Sequence, residues 1–324
     1  MVDDMITWLR SKFETIFEDG TGEMTVHPGP KFDYLGMDLD FSIPGTVKIS
    51  MIPFVKALLM DFAEIDPTEH TATTPASEHL FTVDDNATKL EPERSQKFHT
   101  IVAKCLFLTK RARPDIATAI SFLTCRVTKA DEHDFKKLVR VGRYLRGTIH
   151  LSLYLSADGS MIAKWYADGS HAVHNNFRGH SGGGLSLGGG FAYSNSSKQK
   201  MNTRSSTETE LVAADDQMPM IIWTNNFLTE QGYALKDTVL YQDNQSAILL
   251  ERNGRRSSSK RTRHLNIRFF FISDRINNKE LSVVYCPTEE MIADFFTKPL
   301  QGKLFRKFRK LIMNYPDSEE VAMD

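Results

Sequence analysis

Residues 161–172 read MIAKWYADGSHA, an apolar run from Met161 to Ala167 that is closed by an aspartate, Asp168. A second stretch, VLYQD at 239–243, repeats the device: a short apolar run with the character of a buried strand ends on Asp243. Between them Ser205-Ser206-Thr207 introduces a helix over about 207–231, since hydroxyl side chains accept hydrogen bonds from the free amides of a first turn. Working outward, helices are expected near 244–252 and 264–277. A strand is expected at LSVVYC (281–286), and a last helix from about Glu289. With strands near 151–155 and 161–167 and two short runs around Gly188-Gly189-Gly190, the order becomes strands, helix, strand, helices, strand, helix. That order predicts an α/β mixed sheet flanked by helices. Gly182-Gly183-Gly184 and Gly188-Gly189-Gly190 lack the Gly-Lys-Ser/Thr ending of a phosphate loop, and predict a β-hairpin with close backbone approach.

Upstream, the pattern is different. Met5, Leu9, Phe13 and Phe17 recur at steps of four behind Asp3 and Asp4, which predicts an amphipathic helix capped by those aspartates and ending at Gly20. Leu35, Met37, Leu39 and Phe41 alternate with smaller or charged residues, and the alternation resumes at Val47, Ile49 and Met51 after Pro44-Gly45, giving a hairpin. A short helix is expected from Pro53 to about Ala63. Residues 66–94, poor in apolar positions, predict a long surface connection. Runs over about 95–111, 114–127 and 131–146, punctuated by Pro114 and Gly147, predict a three-helix unit. No repeat of 20 to 50 residues is visible, and the last ten residues predict a frayed tail.

The chain has 324 residues with 41% hydrophobic and 25% charged positions, an ordinary globular composition. Lys+Arg 40 against Asp+Glu 41 leaves a formal charge of -1, which excludes a chain-wide basic field, so any polyanion site must be local. Cys105, Cys125 and Cys286 form no C-x-x-C pair, which points to a reducing compartment without a zinc knuckle. No apolar run reaches the ~18 residues of a membrane span, so no membrane partner is expected. Met-Val-Asp-Asp is no signal peptide, and nothing sends the chain out of the cytosol or nucleus.

The chemistry lies in the acids at the element ends. Asp168 and Asp243 close strands, Glu210 lies in the first turn of the helix after 205, and Asp294 is in the last helix. Strand C-terminal ends and helix starts converge on one edge of such a sheet, where gathered carboxylates repel unless a cation neutralises them. Hard oxygen donors without a thiol or imidazole cluster favour Mg²⁺ or Mn²⁺. A pair of such ions suits phosphodiester hydrolysis.

YADGSHA (166–172), SSKQKMNTRSSTETELVAA (196–214), YQDNQSAI (241–248), SSKRTRHLNIRFFFI (258–272) and CPTEEMIADFFTKPL (286–300) resemble the ribonuclease H domain of copia-type retrotransposon polyproteins. YLGMDL (34–39), TKRARPDIATAISFL (109–123) and VGRYLRGT (141–148) resemble the end of the reverse transcriptase palm and the thumb or connection region of the same polyproteins. The resemblance implies a ribonuclease H-like mixed sheet preceded by a helical thumb or connection region with a β-hairpin. The palm end would occupy 1–65, linker and helices 66–155, the ribonuclease H domain 156–300, and a basic helix and tail 301–324. It further implies a two-metal endoribonuclease that cuts the RNA strand of an RNA–DNA hybrid, with Asp168, Glu210, Asp243 and Asp294 holding two Mg²⁺, Mn²⁺ being an alternative. The remaining polyprotein, with reverse transcriptase fingers and palm and an integrase, would be its partner, in a cytoplasmic virus-like particle and the nucleus. The alternative class is a non-catalytic nucleic-acid-binding remnant or structural part of such a polyprotein.

Within TETEL, Glu208 and Glu210 are two apart and cannot face the same way on a helix; the resemblance places the catalytic glutamate at Glu210, leaving Glu208 to the helix dipole. Asp215 and Asp216, a turn later, are expected to be solvated. Where many relatives carry a tryptophan, FAYSNSSKQ places Tyr193 or Asn195. No histidine lies between 281 and 294, and His264 is expected as a phosphate contact or helix cap rather than a catalyst. Val2-Asp3-Asp4 imitates the YVDD metal hairpin but lacks a preceding strand, so fingers and most of the palm, and with them polymerase activity, are expected to be missing. Arg255, Arg256, Lys260, Arg261 and Arg263, with His264 and intervening serines, are expected to contact phosphates. So is a second cluster of Lys298, Lys303, Arg306, Lys307, Arg309 and Lys310.

Overall fold

The computed structural model describes residues 2–18, 22–27, 29–62, 70–254 and 266–320. It begins with helix α1 (Val2–Phe13), which stops well short of Gly20 and holds Asp3 and Asp4 inside its first turn rather than at its cap. The alternating segment around Pro44-Gly45 forms β2 (Met37–Asp40) and β3 (Thr46–Ser50), preceded by an unpredicted edge strand, β1 (Lys31–Tyr34). β1 is exposed at every residue, so its sequence carries no buried-face alternation to find. Helix α2 (Ile52–Met60) follows.

Three helical stretches form where the Pro and Gly punctuation puts them: α3 (Pro92–Thr109), α4 (Ala117–Thr124) behind a short 3-10 turn at Pro114–Ile116, and α5 (Glu132–Gly147). α5 starts on a capping box, in which the Asp131 side chain takes the Asp134 amide and Asp134 reaches back to Asp131. The segment before α3 differs from the expected surface connection. Thr74, Ala76, Leu80 and Leu90 are buried, because this length of chain packs over the helices instead of standing off them.

Strand β4 (Leu153–Ala157) pairs antiparallel with β3, so the upstream strands and β4 share one sheet in the order β1-β2-β3-β4, closed at its far edge by residues 188–189. The second sheet begins with β5 (Ile162–Ser170), which runs two residues past Asp168, and β6 (His180–Ser186). β7 (Gly188–Gly189) crosses to pair with β4, and β8 (Tyr193–Lys198) returns to β6. The 182–184 glycines therefore lie inside a strand rather than at a hairpin turn. Their expected close approach is real: a Cβ at Gly182 would stand 2.6 Å from Thr297 Cγ2. Helix α6 (Ser206–Glu230), β9 (Asp237–Gln242), α7 (Gln245–Asn253), α8 (Asn266–Asn277) and β10 (Ser282–Tyr285) complete the α/β part.

The second sheet has the order β10-β9-β5-β6-β8. β5, β6 and β8 form an antiparallel meander, while β9 lies parallel to β5 and β10 parallel to β9. Trp165, Leu240, Met218 and Ile272 fill the space between this sheet and its helices. Tyr193, one of the two residues expected near the place of the missing tryptophan, packs its ring 5.7 Å from that of Trp165.

The expected helix from Glu289 is instead two 3-10 turns, Thr288–Glu290 and Ile292–Phe296. Pro299 offers no amide to the Phe295 carbonyl four residues earlier, which accepts from Thr118 instead, so α-helical hydrogen bonding is not continued here. The final helix is α9 (Gly302–Met313). It packs on the upstream helices, where Phe305, Phe308, Ile312, Met313 and Tyr315 join a core with Tyr144 and Ile116. As far as Glu319 the tail is anchored rather than frayed, since Glu319 accepts from Lys48 at 2.7 Å and from Tyr154 at 2.6 Å, while residues 321–324 lie outside the described residues.

Candidate active site

Two strand ends create the site. In the parallel register Tyr166 stands opposite Tyr241, their rings stacked 4.9 Å apart, and two residues further along comes an aspartate in each case, Asp168 within β5 and Asp243 just past the end of β9. A period of two keeps both carboxylates on the face of the stacked tyrosines. α6 packs on the opposite face, that of Trp165 and Gly169: a Cβ at Gly169 would stand 2.7 Å from the Thr209 carbonyl oxygen, so glycine at 169 permits the approach that brings Glu210 to the strand end. Asp294 arrives from the other side on the 292–296 turn.

That turn is clamped by the rest of the molecule. The Phe295 carbonyl accepts from Thr118 of α4 at 2.6 Å, and the Phe296 carbonyl accepts from Ser196 of β8 at 2.7 Å. The two phenylalanine rings are buried in the upstream core. Thus the helical unit contributes no acid, yet it fixes the position of one.

Carboxylate oxygens of Asp168, Asp243 and Asp294 lie within 4.8 Å of one another. Glu210 stands behind them on α6, buried, with Oε2 lacking any hydrogen-bond partner among the described residues. Burial, and then the charges of Asp168 and Asp243, hold its carboxyl well above the usual range. Burial and Asp168 likewise push Asp294 up to about 7. Thr297 donates its hydroxyl to Asp168, and Thr288 donates to Asp243 at 3.0 Å. A compact set of hard oxygens with an orphaned buried oxygen at its rear suits a divalent cation.

Lys298 is the one cation inside the cluster among the described residues. Its Nζ donates to Asp294 Oδ1 at 2.6 Å and stands 3.6 Å from Asp168 Oδ1. Burial opposes its charge, but Asp168 and Asp294 outweigh that and raise it to about 12.

Glu208 points elsewhere, as expected. Ser205 caps α6 by accepting the Glu208 amide at 3.2 Å, and the Glu208 carboxylate accepts the Arg204 amide at 2.7 Å. Glu210 lies in the second turn rather than the first. Asp215 is half-buried rather than solvated, and Asp216 is exposed as expected; both pair with Arg268, and Asp216 accepts from Ser181 at 2.8 Å. Arg255, Arg256, Lys260, Arg261, Arg263 and His264 lie outside the described residues. The second basic cluster does not form one surface, since Arg309 is fully buried against Tyr315 and Tyr144 while Lys298 turns into the acids. Sequence reasoning misses Thr297 and gives Lys298 only as a phosphate contact, not as a partner of the acids; the four-residue step from Asp294 to Lys298 was the available signal.

An antiparallel meander continued by two parallel strands, flanked by helices, with acids collected at the strand ends, is a ribonuclease H-like fold. The chain is a homologue of the retrovirus-related Pol polyproteins of plant transposons. It is 31% identical over 216 residues, 66% of its length, to the retrovirus-related Pol polyprotein from transposon TNT 1-94 of Nicotiana tabacum. It is also 31% identical over 202 residues, 62% of its length, to that from transposon RE1 of Arabidopsis thaliana. The chain spans 16% and 14% of the length of these two relatives. The Gag-Pol polyprotein of the yeast transposon Ty1-NL2 is 20% identical over 313 residues, which is 93% of this chain and 18% of the relative. Similar solved structures include LC11-RNase H1 from compost, at 16% identity and a TM-score of 0.31, covering 41% of this chain and 89% of that one. RNase H1 of Halobacterium salinarum, at 18% identity and a TM-score of 0.27, covers 42% and 93%. No family model matches the chain. Among the described residues no helix is long and apolar enough to cross a membrane.

Proposed function

We propose that this chain is the ribonuclease H of a copia-type retrotransposon and cuts the RNA strand of an RNA–DNA hybrid by two-metal hydrolysis. The observation that carries the reading is the convergence of Asp168, Asp243 and Asp294 within 4.8 Å, with the unpartnered Glu210 oxygen behind them. Asp168, Asp243 and Asp294 would hold the first Mg²⁺, and Glu210 would complete the set for a second, Mn²⁺ being able to replace either. Bound there, such ions activate the attacking water and stabilise the leaving oxygen. The protein's own share is positional: Thr297 and Thr288 orient Asp168 and Asp243, and the clamped 292–296 turn fixes Asp294. The 2′-hydroxyls displayed in the wide minor groove of a hybrid would mark the RNA strand. Arg255, Arg256, Lys260, Arg261, Arg263 and His264 would supply phosphate contacts, and the rest of the polyprotein would deliver the hybrid.

The test is direct. Purified protein with Mg²⁺ should release short fragments from labelled RNA in a hybrid, spare the same RNA single-stranded, and lose the activity in Asp168→Asn or Asp243→Asn. Folded wild-type protein that stays inactive across Mg²⁺ and Mn²⁺ titrations would favour a non-catalytic part of the polyprotein.

A further inference from the structure

Asp168 is 1% exposed although it sits in a site that a phosphodiester has to reach. What lies against it is Lys298, whose side chain is 40% exposed while its ammonium turns inward onto Asp294 and Asp168. The Lys298 backbone amide is tied separately, to the Asp294 carbonyl at 2.9 Å, so the side chain can leave without moving the turn. We propose that the Lys298 ammonium is the built-in counter-ion of this site: it holds the cation position between Asp294 and Asp168 in the metal-free chain, competes with the divalent ion, and swings outward when that ion binds. This rests on the metal-site reading above.

Charge decides the exchange. Ionised, Asp168, Asp243 and Asp294 present three negative charges, of which one ammonium cancels one. A divalent ion cancels two, in a smaller volume, and accepts several oxygens at once. Once it is bound, an ammonium left 2.6 Å from Asp294 Oδ1 would face a cation across the same oxygens, and that repulsion favours the outward rotamer. Without metal, the lysine keeps the acids from repelling one another, so the site stays assembled while empty. Conversely, removing the lysine leaves the carboxylates for metal alone.

The measurement is calorimetric titration with MnCl₂ alone, without nucleic acid, on wild type, Lys298→Met and Lys298→Arg. Met keeps most of the aliphatic stem and removes the charge. Lys298→Met should bind Mn²⁺ about tenfold or more tightly than wild type, and Lys298→Arg should stay near wild type. Metal-free Lys298→Met should melt at a lower temperature, and Mn²⁺ should raise its melting point by more than it raises that of wild type. A second readout needs no variant: titrating wild type with MgCl₂ should shift the Lys298 Cε resonance, saturating together with the heat of binding. Equal or weaker Mn²⁺ binding by a folded Lys298→Met, or a Cε resonance that does not move, overturns the proposal while leaving the metal site intact. Absence of binding by both wild type and Lys298→Met overturns the proposal and the metal-site reading together.

Discussion

Gly182 of β6 lies directly beneath Thr297, with a Cβ at 182 falling 2.6 Å from Thr297 Cγ2 and 2.7 Å from Phe296 Cβ. Gly182 is also the register partner of Asp168, so one missing side chain makes room for the turn that carries Asp294, Thr297 and Lys298. Gly182→Ala should push that turn away from Asp168. The expected outcome is a stability loss of about 1–3 kcal/mol from overpacking. Hybrid cleavage should fall by roughly 10²-fold, since ~1 Å of misplacement is enough for that. Thermal melting and initial rates check it. A variant that melts lower but cleaves and binds Mn²⁺ as wild type does would show that the turn relaxes without disturbing the acids.

The two glutamates of α6 separate chemistry from capping. Glu210→Gln should lose ~10²-fold or more in rate, because a metal ligand supports charge in the transition state. Its metal-free stability should hold or rise, since burial and two aspartates already oppose ionisation there. Glu208→Gln should leave the rate nearly unchanged, because a glutamine oxygen can still accept the Arg204 amide. Rates measured side by side decide it, and the opposite ranking would mean the wrong acid has been assigned.

Much of this site was legible because its signals are local. An apolar run ending on Asp168 or Asp243 announces both the strand and the acid, and Ser205 announces the helix that carries Glu210. What escaped depends on partners distant in sequence. β4 has an unremarkable strand sequence, and only its pairing with β3 assigns it to the first sheet. Arg309 reads as one more charge in a basic run until Tyr144 and Tyr315 enclose it. Lys298 reads as a phosphate contact in a basic run until Asp168, 130 residues upstream, is brought beside it. The helix expected after Glu289 failed for a different reason, because Pro299 has no amide for the Phe295 carbonyl, which turns to Thr118 of α4.

Arg113 and Asp115 should prove a structural pair. Arg113 donates from Nε at 2.9 Å and Nη2 at 2.7 Å to the two Asp115 oxygens, while Tyr144 donates to Asp115 at 2.6 Å, all buried. Burial raises the Asp115 carboxyl, but Arg113 outweighs it and holds it below the usual range. Asp115→Asn leaves a buried guanidinium without its counter-charge and should cost about 3–5 kcal/mol. Denaturant unfolding reads this out. A loss under about 1 kcal/mol would mean that Tyr144 and the Thr148 carbonyl, which also accepts from Arg113 at 2.9 Å, suffice alone.

Glu251 should impose a pH dependence on stability that is separable from the site. It is fully buried on α7 beneath β9, where burial pushes its carboxyl up from 4.5 to about 8. With its amide nitrogen turned toward Glu251, Gln242 lies 3.1 Å from both carboxylate oxygens, and Asp243 is the next residue. The native state therefore keeps the Glu251 proton at pH values where the unfolded chain has released it. The stability this contributes is whole below about 4.5 and is lost as pH rises toward about 8, at roughly 1.4 kcal/mol per pH unit. Glu251→Gln has no proton to lose, so its stability should match wild type near pH 4.5 and exceed it progressively up to about pH 8, with a constant difference above. Because Asp294 and Glu210 are present in both proteins, the difference between the two pH profiles isolates Glu251. Unfolding free energies measured across this range should diverge in that sense; parallel profiles would show that water or a charge partner relieves the buried carboxylate.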